Sequence, residues 1–173
     1  MIEAALNSES LTWEEITLQR NDFLIQAGQV EKFIYFIKEG AIRAFILTEE
    51  EDLTIRFGYK GSIMTALPSY FTAEPTEHFL QAIRKTVVLK TTKTAFEEYI
   101  QQDIILLKSY NQLLKDLVAS FLEREIDLLT QSPSLRIERL LKRSPQVFQE
   151  IPQKYIASYL RMTPETLSRL LKS

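Results

Sequence analysis

Cysteine is absent from all 173 residues, which removes disulfides, thiolate metal sites and cysteine-ligated iron–sulfur clusters together. Histidine occurs once, as His78. One imidazole is too few for the paired histidines of a β-roll iron site, and no Gly-x-Ser-x-Gly element stands near it to make a catalytic triad. His78 therefore reads as an exposed or hydrogen-bonded loop residue in Phe71–His78, where Glu74 and Glu77 are its acidic neighbours. No catalytic residue, metal or cofactor is expected. No apolar run approaches bilayer length, and the start MIEAALNSES is acidic where a signal peptide would be basic and then apolar. A cytoplasmic chain with no membrane partner is expected. Repeats and low-complexity stretches are also missing, and 45% hydrophobic with 25% charged residues is ordinary for a globular protein.

What is present divides by charge. From Pro133 onward stand eight basic residues, Arg136, Arg139, Lys142, Arg143, Lys154, Arg161, Arg169 and Lys172, against Glu138, Glu150 and Glu165. The remaining thirteen basic and twenty acidic residues precede them, so the two parts carry +5 and −7. This division suits an anionic partner at the C-terminal end, and a solvated charged surface is the alternative reading.

Hydrophobic period divides the chain in the same way. Residues 1–16 are weakly helical. From Thr17 short runs with a period of two follow: 22–28, 32–38, 41–47, 53–57, 62–67, 79–84 and 86–91, with Gly28 and Gly40 at corners. Seven or eight short strands with regular turns predict an antiparallel sandwich or barrel-like roll. The acidic run Glu49–Asp52 reads as a solvated hairpin tip, and 68–75 as a loop. Helical period returns at Ala95. Asp103 is a cap for a helix without Gly or Pro to about Thr130, roughly 40 Å long. On it Leu107, Tyr110, Leu114, Leu117, Phe121 and Leu128 recur at three- and four-residue steps, a coiled-coil seam, with a second stripe through Leu106, Leu113, Val118, Leu122, Ile126 and Leu129. One stripe can pack on the roll and the other on a second copy, although a single core helix in a monomer fits as well. Ser132-Pro133 breaks and restarts the helix, the natural hinge between two modules.

The last stretch, IPQKYIASYLRMTPETLSRLLKS, reads as two short helices joined by a tight turn. Ile156, Ala157 and Leu160 share a face of the first, and Leu167 and Leu170 a face of the second, which starts with Thr163 as N-cap and Pro164 behind it. Glu165, Thr166, Ser168, Arg169 and Lys172 are left outward. These groups can hydrogen-bond base edges or phosphates. A plain αα-hairpin capping a core is the competing reading.

Gln153 through Lys172 resembles the recognition unit of the Crp/Fnr superfamily of transcription regulators, with its ETLSR core. The order of strands, long helix and helix-turn-helix resembles the same family. The resemblance implies an α+β chain: a sensor domain over 1–102 built as a cyclic-nucleotide-binding-like antiparallel β-roll (double-stranded β-helix), a dimerisation helix over 103–131 and a DNA-binding domain over 132–173. It implies base contacts for Glu165 and Arg169, and phosphate or positioning contacts for Gln153, Lys154, Thr163, Thr166, Ser168 and Lys172. The implied partners are a palindromic duplex operator, a second copy of the chain, RNA polymerase and a small-molecule effector. Two dimer-related recognition helices would lie about 34 Å apart.

Several departures from the family pattern stand out. Pro164 replaces a further base-reading arginine of some members. Arg161 holds the turn position usually given to glycine, where a left-handed residue with a Cβ costs about 1–2 kcal/mol. The β-hairpin wing that often follows the recognition helix is expected to be lacking. An oxygen sensor of the Fnr kind is excluded for want of cysteine. The family's phosphate cassette, a Gly-Glu pair and an arginine ahead of an alanine, would here read Gly61-Ser62 and, counting back from Ala82, Thr76. With neither acid nor base, this pocket is not expected to bind cyclic AMP in the family's manner, because a buried phosphate needs a cation or several amide donors. Two other functions remain open on the residues: a ligand-binding roll whose helix-turn-helix is vestigial or contacts protein, and a metal-holding β-roll enzyme.

Overall fold

The computed structural model describes residues 2–172, with side chains over 4–172; Met1 and Ser173, the outer ends of the two flanking segments, lie outside the described residues. A short helix α1 (Ile2–Leu6) leads to strands β1 (Glu14–Leu18), β2 (Phe23–Ile25), β3 (Phe33–Glu39), β4 (Ala41–Leu47), β5 (Asp52–Tyr59) and β6 (Ile63–Met64). Helix α2 (Leu67–Thr72) precedes β7 (Phe79–Ala82) and β8 (Thr86–Thr92), after which the chain is helical: α3 (Lys93–Gln101), α4 (Ile104–Leu129), α5 (Pro133–Arg143), α6 (Val147–Glu150), α7 (Gln153–Tyr159) and α8 (Pro164–Leu170). The strands form two four-stranded antiparallel sheets, in the orders β1-β8-β3-β6 and β2-β7-β4-β5. The expected α+β roll followed by helices is therefore present.

The period of two explains the roll's interior. Alternate side chains of each strand point the same way, so that Tyr35 and Ile37 of β3, Ile42 and Ala44 of β4, Leu80 and Ala82 of β7 and Val88 of β8 meet between the sheets. Two glycines permit close approaches. Gly40 has φ +90° at the β3–β4 turn, where a Cβ would collide with Thr86, and Gly58 lies inside β5 beneath Met64 and Ile37. Gly58 is thus a strand residue, which extends β5 to Tyr59, beyond the expected run 53–57.

Two elements depart from the sequence reading. Glu14–Leu18 is a full edge strand paired along β8, although its outward glutamates conceal the alternation. Leu67–Thr72 is a helix where a loop was expected; Pro68 sits in its first turn, where the missing N–H is no loss.

A second apolar cluster lies outside the first sheet, where Ile34, Tyr70, Phe96, Tyr99 and Ile100 pack with Leu106 and Tyr110 of α4. The third belongs to the C-terminal helices, and it includes Ala41 and Ile83 of the roll. The face of β4 turned away from the roll's interior is therefore covered by the helix-turn-helix, which explains why its first five residues are all buried. The two modules are packed together rather than tethered.

Asp103 caps α4 as expected, its Oδ1 accepting from the Ile105 N–H at 2.7 Å. At 26 residues α4 is about 39 Å long. Ser132 caps α5, with Pro133 behind it. The hinge between them is strapped: Arg136 of α5 donates to Thr130 O at 2.7 Å and to Leu160 O at 2.9 Å. Asp127, wholly buried near the end of α4, accepts from Arg139 at 2.8 Å and from Arg143.

Candidate nucleic-acid interface

α7 and α8 pack through Ile156, Ala157, Leu160 and Leu167, each without solvent exposure. The turn between them is a Schellman motif: Met162 N–H reaches Ala157 O at 3.0 Å, and Arg161 N–H reaches Ser158 O at 3.1 Å. That geometry requires a left-handed residue, and Arg161 supplies it at φ +55°. The turn is kept, and its strain is tolerated. Arg136 binds the carbonyls of both Leu160 and Arg161, and Arg161 itself reaches Glu51 at 3.1 Å. Thr163 caps α8, its hydroxyl accepting from Thr166 N–H at 3.2 Å.

The side chains expected to meet a duplex are exposed or half-buried, and Lys154, Thr163 and Glu165 line one groove. Glu165 and Arg169 are exposed on α8, with Lys172 just past its end; Thr163 is exposed before it, and Thr166 and Ser168 are half-buried between them. Gln153 and Lys154 are exposed at the start of α7, the lysine lying 4.6 Å over the Tyr155 ring. The basic excess is less available than the composition suggests. Arg136, Arg139, Arg143 and Arg161 are spent on internal carbonyls and carboxylates. Lys142, Lys154, Arg169 and Lys172 carry none of these internal pairings.

The acidic run is the exposed tip of the β4–β5 hairpin over Glu49–Glu51, as expected, but it is not only solvated. Its end docks on the helix-turn-helix, where Ser158 Oγ accepts from Thr54 N–H at 3.0 Å and donates to Asp52 O at 3.2 Å. Asp52 Oδ2 accepts from Arg43 at 2.7 Å, and the Arg43 guanidinium lies 4.3 Å from the Tyr155 ring centre. The groove between this hairpin and the start of α8 is lined by Glu51, Asp52, Lys154, Arg161, Thr163 and Glu165. Glu51 would face any phosphate approaching Arg161 or the α8 N-terminus.

The four residues expected to form an effector pocket do not come together. Gly61 and Ser62, at the β5–β6 turn, line a cavity of about 340 Å³ between α2 and α4, walled mainly by Met64, Leu67, Tyr70, Tyr110 and Leu117. Thr76 and Ala82 are buried elsewhere, Thr76 holding His78 N–H and Ala82 in the roll's interior. Glu31, which sequence reasoning passes over, is the buried acid of the region. Its carboxylate accepts from Phe33 N–H at 3.0 Å, Ala66 N–H at 3.2 Å and the Tyr35 hydroxyl at 3.2 Å. Burial raises its pKa despite these bonds and pushes the Tyr35 hydroxyl up as well. The amide at the head of α2 is therefore taken by an internal carboxylate. His78 is half-buried, and burial lowers its pKa. Among the described residues no cluster of His, Asp or Glu could hold a metal.

The apolar seam expected on α4 is divided by the fold. Tyr110 packs on the roll and Leu117 lines the cavity beside it, whereas Leu107 and Phe121 are exposed. Leu114 also lines that cavity, and Leu128 is half-buried. The outward apolar face instead joins Leu107 to Val118, Leu122, Ile126 and Leu129, mostly from the second stripe. A seven-residue seam drifts around a straight helix of 3.6 residues per turn, so neither stripe keeps one face over 26 residues. No helix among the described residues is long and apolar enough to cross a membrane.

Comparison with known proteins agrees with this architecture. The family model described as cyclic nucleotide-binding domain matches residues 15–103. No curated protein matches. Among solved structures, a CooA variant from Carboxydothermus hydrogenoformans is similar at 20% identity and a TM-score of 0.76, over 98% of this chain and 81% of that one. FixK2 from Bradyrhizobium japonicum is similar at 16% identity and a TM-score of 0.79, over 94% and 84%. The catabolite activator protein of Thermus thermophilus gives 17% identity and a TM-score of 0.52, over 92% and 77%. The chain belongs to the cyclic nucleotide-binding domain family and has the Crp/Fnr-type layout, a β-roll joined by a long helix to a helix-turn-helix.

Proposed function

We propose that this chain is a sequence-specific DNA-binding transcription regulator that acts as a homodimer through α4. In this reading α8 enters the major groove, Glu165 and Arg169 meet base edges, and Gln153, Lys154, Thr163, Thr166, Ser168 and Lys172 hold the backbone on either side. The observation that carries it is the outward polar face of α8, presented by a regular helix-turn-helix at the end of a rod with an outward apolar stripe. Dimers formed along that stripe would set two α8 helices about one turn of duplex apart, ~34 Å. The effector is a small molecule other than cyclic AMP, since Glu31 occupies the amide at the head of α2 and would repel a phosphate there. RNA polymerase is the further partner expected of such a regulator.

One observation favours a second reading. Four C-terminal arginines are used internally and an acidic hairpin faces the start of α8, which suits a ligand-binding roll whose helix-turn-helix contacts protein. Selection of bound duplexes from a random pool separates the two. A regulator enriches a palindromic half-site, with enrichment altered by low-molecular-weight cell extract, whereas a protein-contacting unit enriches none.

A further inference from the structure

At the junction of the two modules, β5, α4, α5 and α7 surround a cavity of about 180 Å³. Three arginines line it: Arg56 from β5, Arg124 from α4 and Arg143 from the end of α5. Each has a buried nitrogen without a hydrogen-bond partner among the described residues, namely Arg56 Nη1, Arg124 Nε and Arg143 Nη1. No carboxylate of the described residues lines the cavity.

We propose that this cavity binds a small free dianion of the phosphate or phosphate-ester class, gripped by Arg56, Arg124 and Arg143. The charges call for such a ligand. Arg143 shares Asp127 with Arg139, which also pairs with Glu123 at 2.6 Å, so the charge left without a carboxylate lies on Arg56 and Arg124. Arg124 donates to the neutral Thr54 carbonyl at 3.2 Å and lies against the Tyr159 ring, 4.9 Å from its guanidinium carbon. Arg56 lies over the Phe121 ring, at 5.5 Å. Desolvation by burial lowers the pKa of both Arg56 and Arg124. A buried cation without a counter-ion is costly, and a single carboxylate ligand would leave part of the excess standing. Phosphate offers oxygens in the geometry that guanidinium forks match. Ser62, Ser120 and Ser144 also line the cavity, as does Tyr159 of α7, whose ring lies beneath Arg124. The walls belong to both modules, so an anion bound here holds the helix-turn-helix against the roll. This site adjoins the larger cavity beneath α2, with which it shares Arg56, Phe57, Ser62 and Ser120, and it does not depend on DNA binding.

The test uses the full chain without DNA. Inorganic phosphate is titrated while the thermal midpoint and the heat of binding are followed, with acetate and chloride at matched ionic strength. Saturable binding of phosphate at about 1 mM or tighter is expected, without a matching response to acetate or chloride. Arg56→Met and Arg124→Met should each weaken it roughly 10- to 100-fold, the loss of a charge-assisted bond. If a methionine variant fails to fold by circular dichroism, the Arg→Lys variant replaces it; the lost fork should still weaken phosphate binding. Phosphate acting no differently from chloride, or variants binding as tightly as the parent, would overturn the proposal.

Discussion

Asp127→Ala probes the joint on which the architecture turns. The carboxylate is buried at 1% side-chain exposure and holds Arg139 and Arg143, whose side chains are 35% and 22% exposed. Removing one partner of a buried pair costs about 3–5 kcal/mol where the orphaned charge stays buried. Here both arginines can turn toward water, which reduces the loss to about 2–3 kcal/mol. With a urea slope of about 2 kcal/mol per molar, the midpoint falls by roughly 1–1.5 M. Trp13, the only tryptophan, packs against Phe96 beside the roll, so its fluorescence reports the roll while far-ultraviolet circular dichroism reports the helices. The two transitions should separate in the variant, the helical signal falling first. Coincident transitions with a loss below about 1 kcal/mol would show that Asp127 does not join the modules.

Three other perturbations follow from the same contacts. Glu31 has a raised folded pKa, so the native state holds its proton more tightly than the unfolded chain; stability falls as pH rises above the ordinary value of 4.5. Urea unfolding of Glu31→Gln should lack that part of the decline, and parallel pH profiles would refute the assignment. Ser158→Ala leaves Thr54 N–H without its partner and should cost about 1 kcal/mol by urea unfolding. If the hairpin competes with a duplex, the same variant binds DNA more tightly by fluorescence anisotropy, and weaker binding would contradict the competition. Leu122→Glu sits on the outward face of α4, where monomer stability should change by less than about 0.5 kcal/mol. Sedimentation at micromolar concentration should nonetheless turn a dimer into a monomer, and an unchanged mass would remove α4 as the interface.

Much of the fold is legible where local chemistry speaks alone. Asp103, Ser132-Pro133 and Thr163-Pro164 each announce a helix start, and each caps one. The motif of α7 and α8 is legible down to the turn, because Ile156, Ala157, Leu160 and Leu167 leave a single way to close two short helices. What depends on distant partners is not. Nothing local distinguishes Asp127 from the exposed acids of α4, or Arg136 and Arg143 from DNA-contacting arginines. Their roles follow from how α5 returns across the end of α4. The exposed tip of the acidic run is legible, but its docking through Glu51 and Asp52 is not, since Ser158 and Arg161 meet them from more than a hundred residues away. Counting cassette positions along the chain fails as well, because β7 carries Ala82 into the roll's interior, away from Gly61 and Ser62.

The central claim is that α8 reads base edges, and Arg169→Ala on a selected operator tests it most directly. Anisotropy titrations against the operator and its single-base variants should show about 1–3 kcal/mol of discrimination lost at one base pair per half-site, with binding to unrelated duplex reduced far less. Equal affinity of parent and variant for every duplex would contradict it.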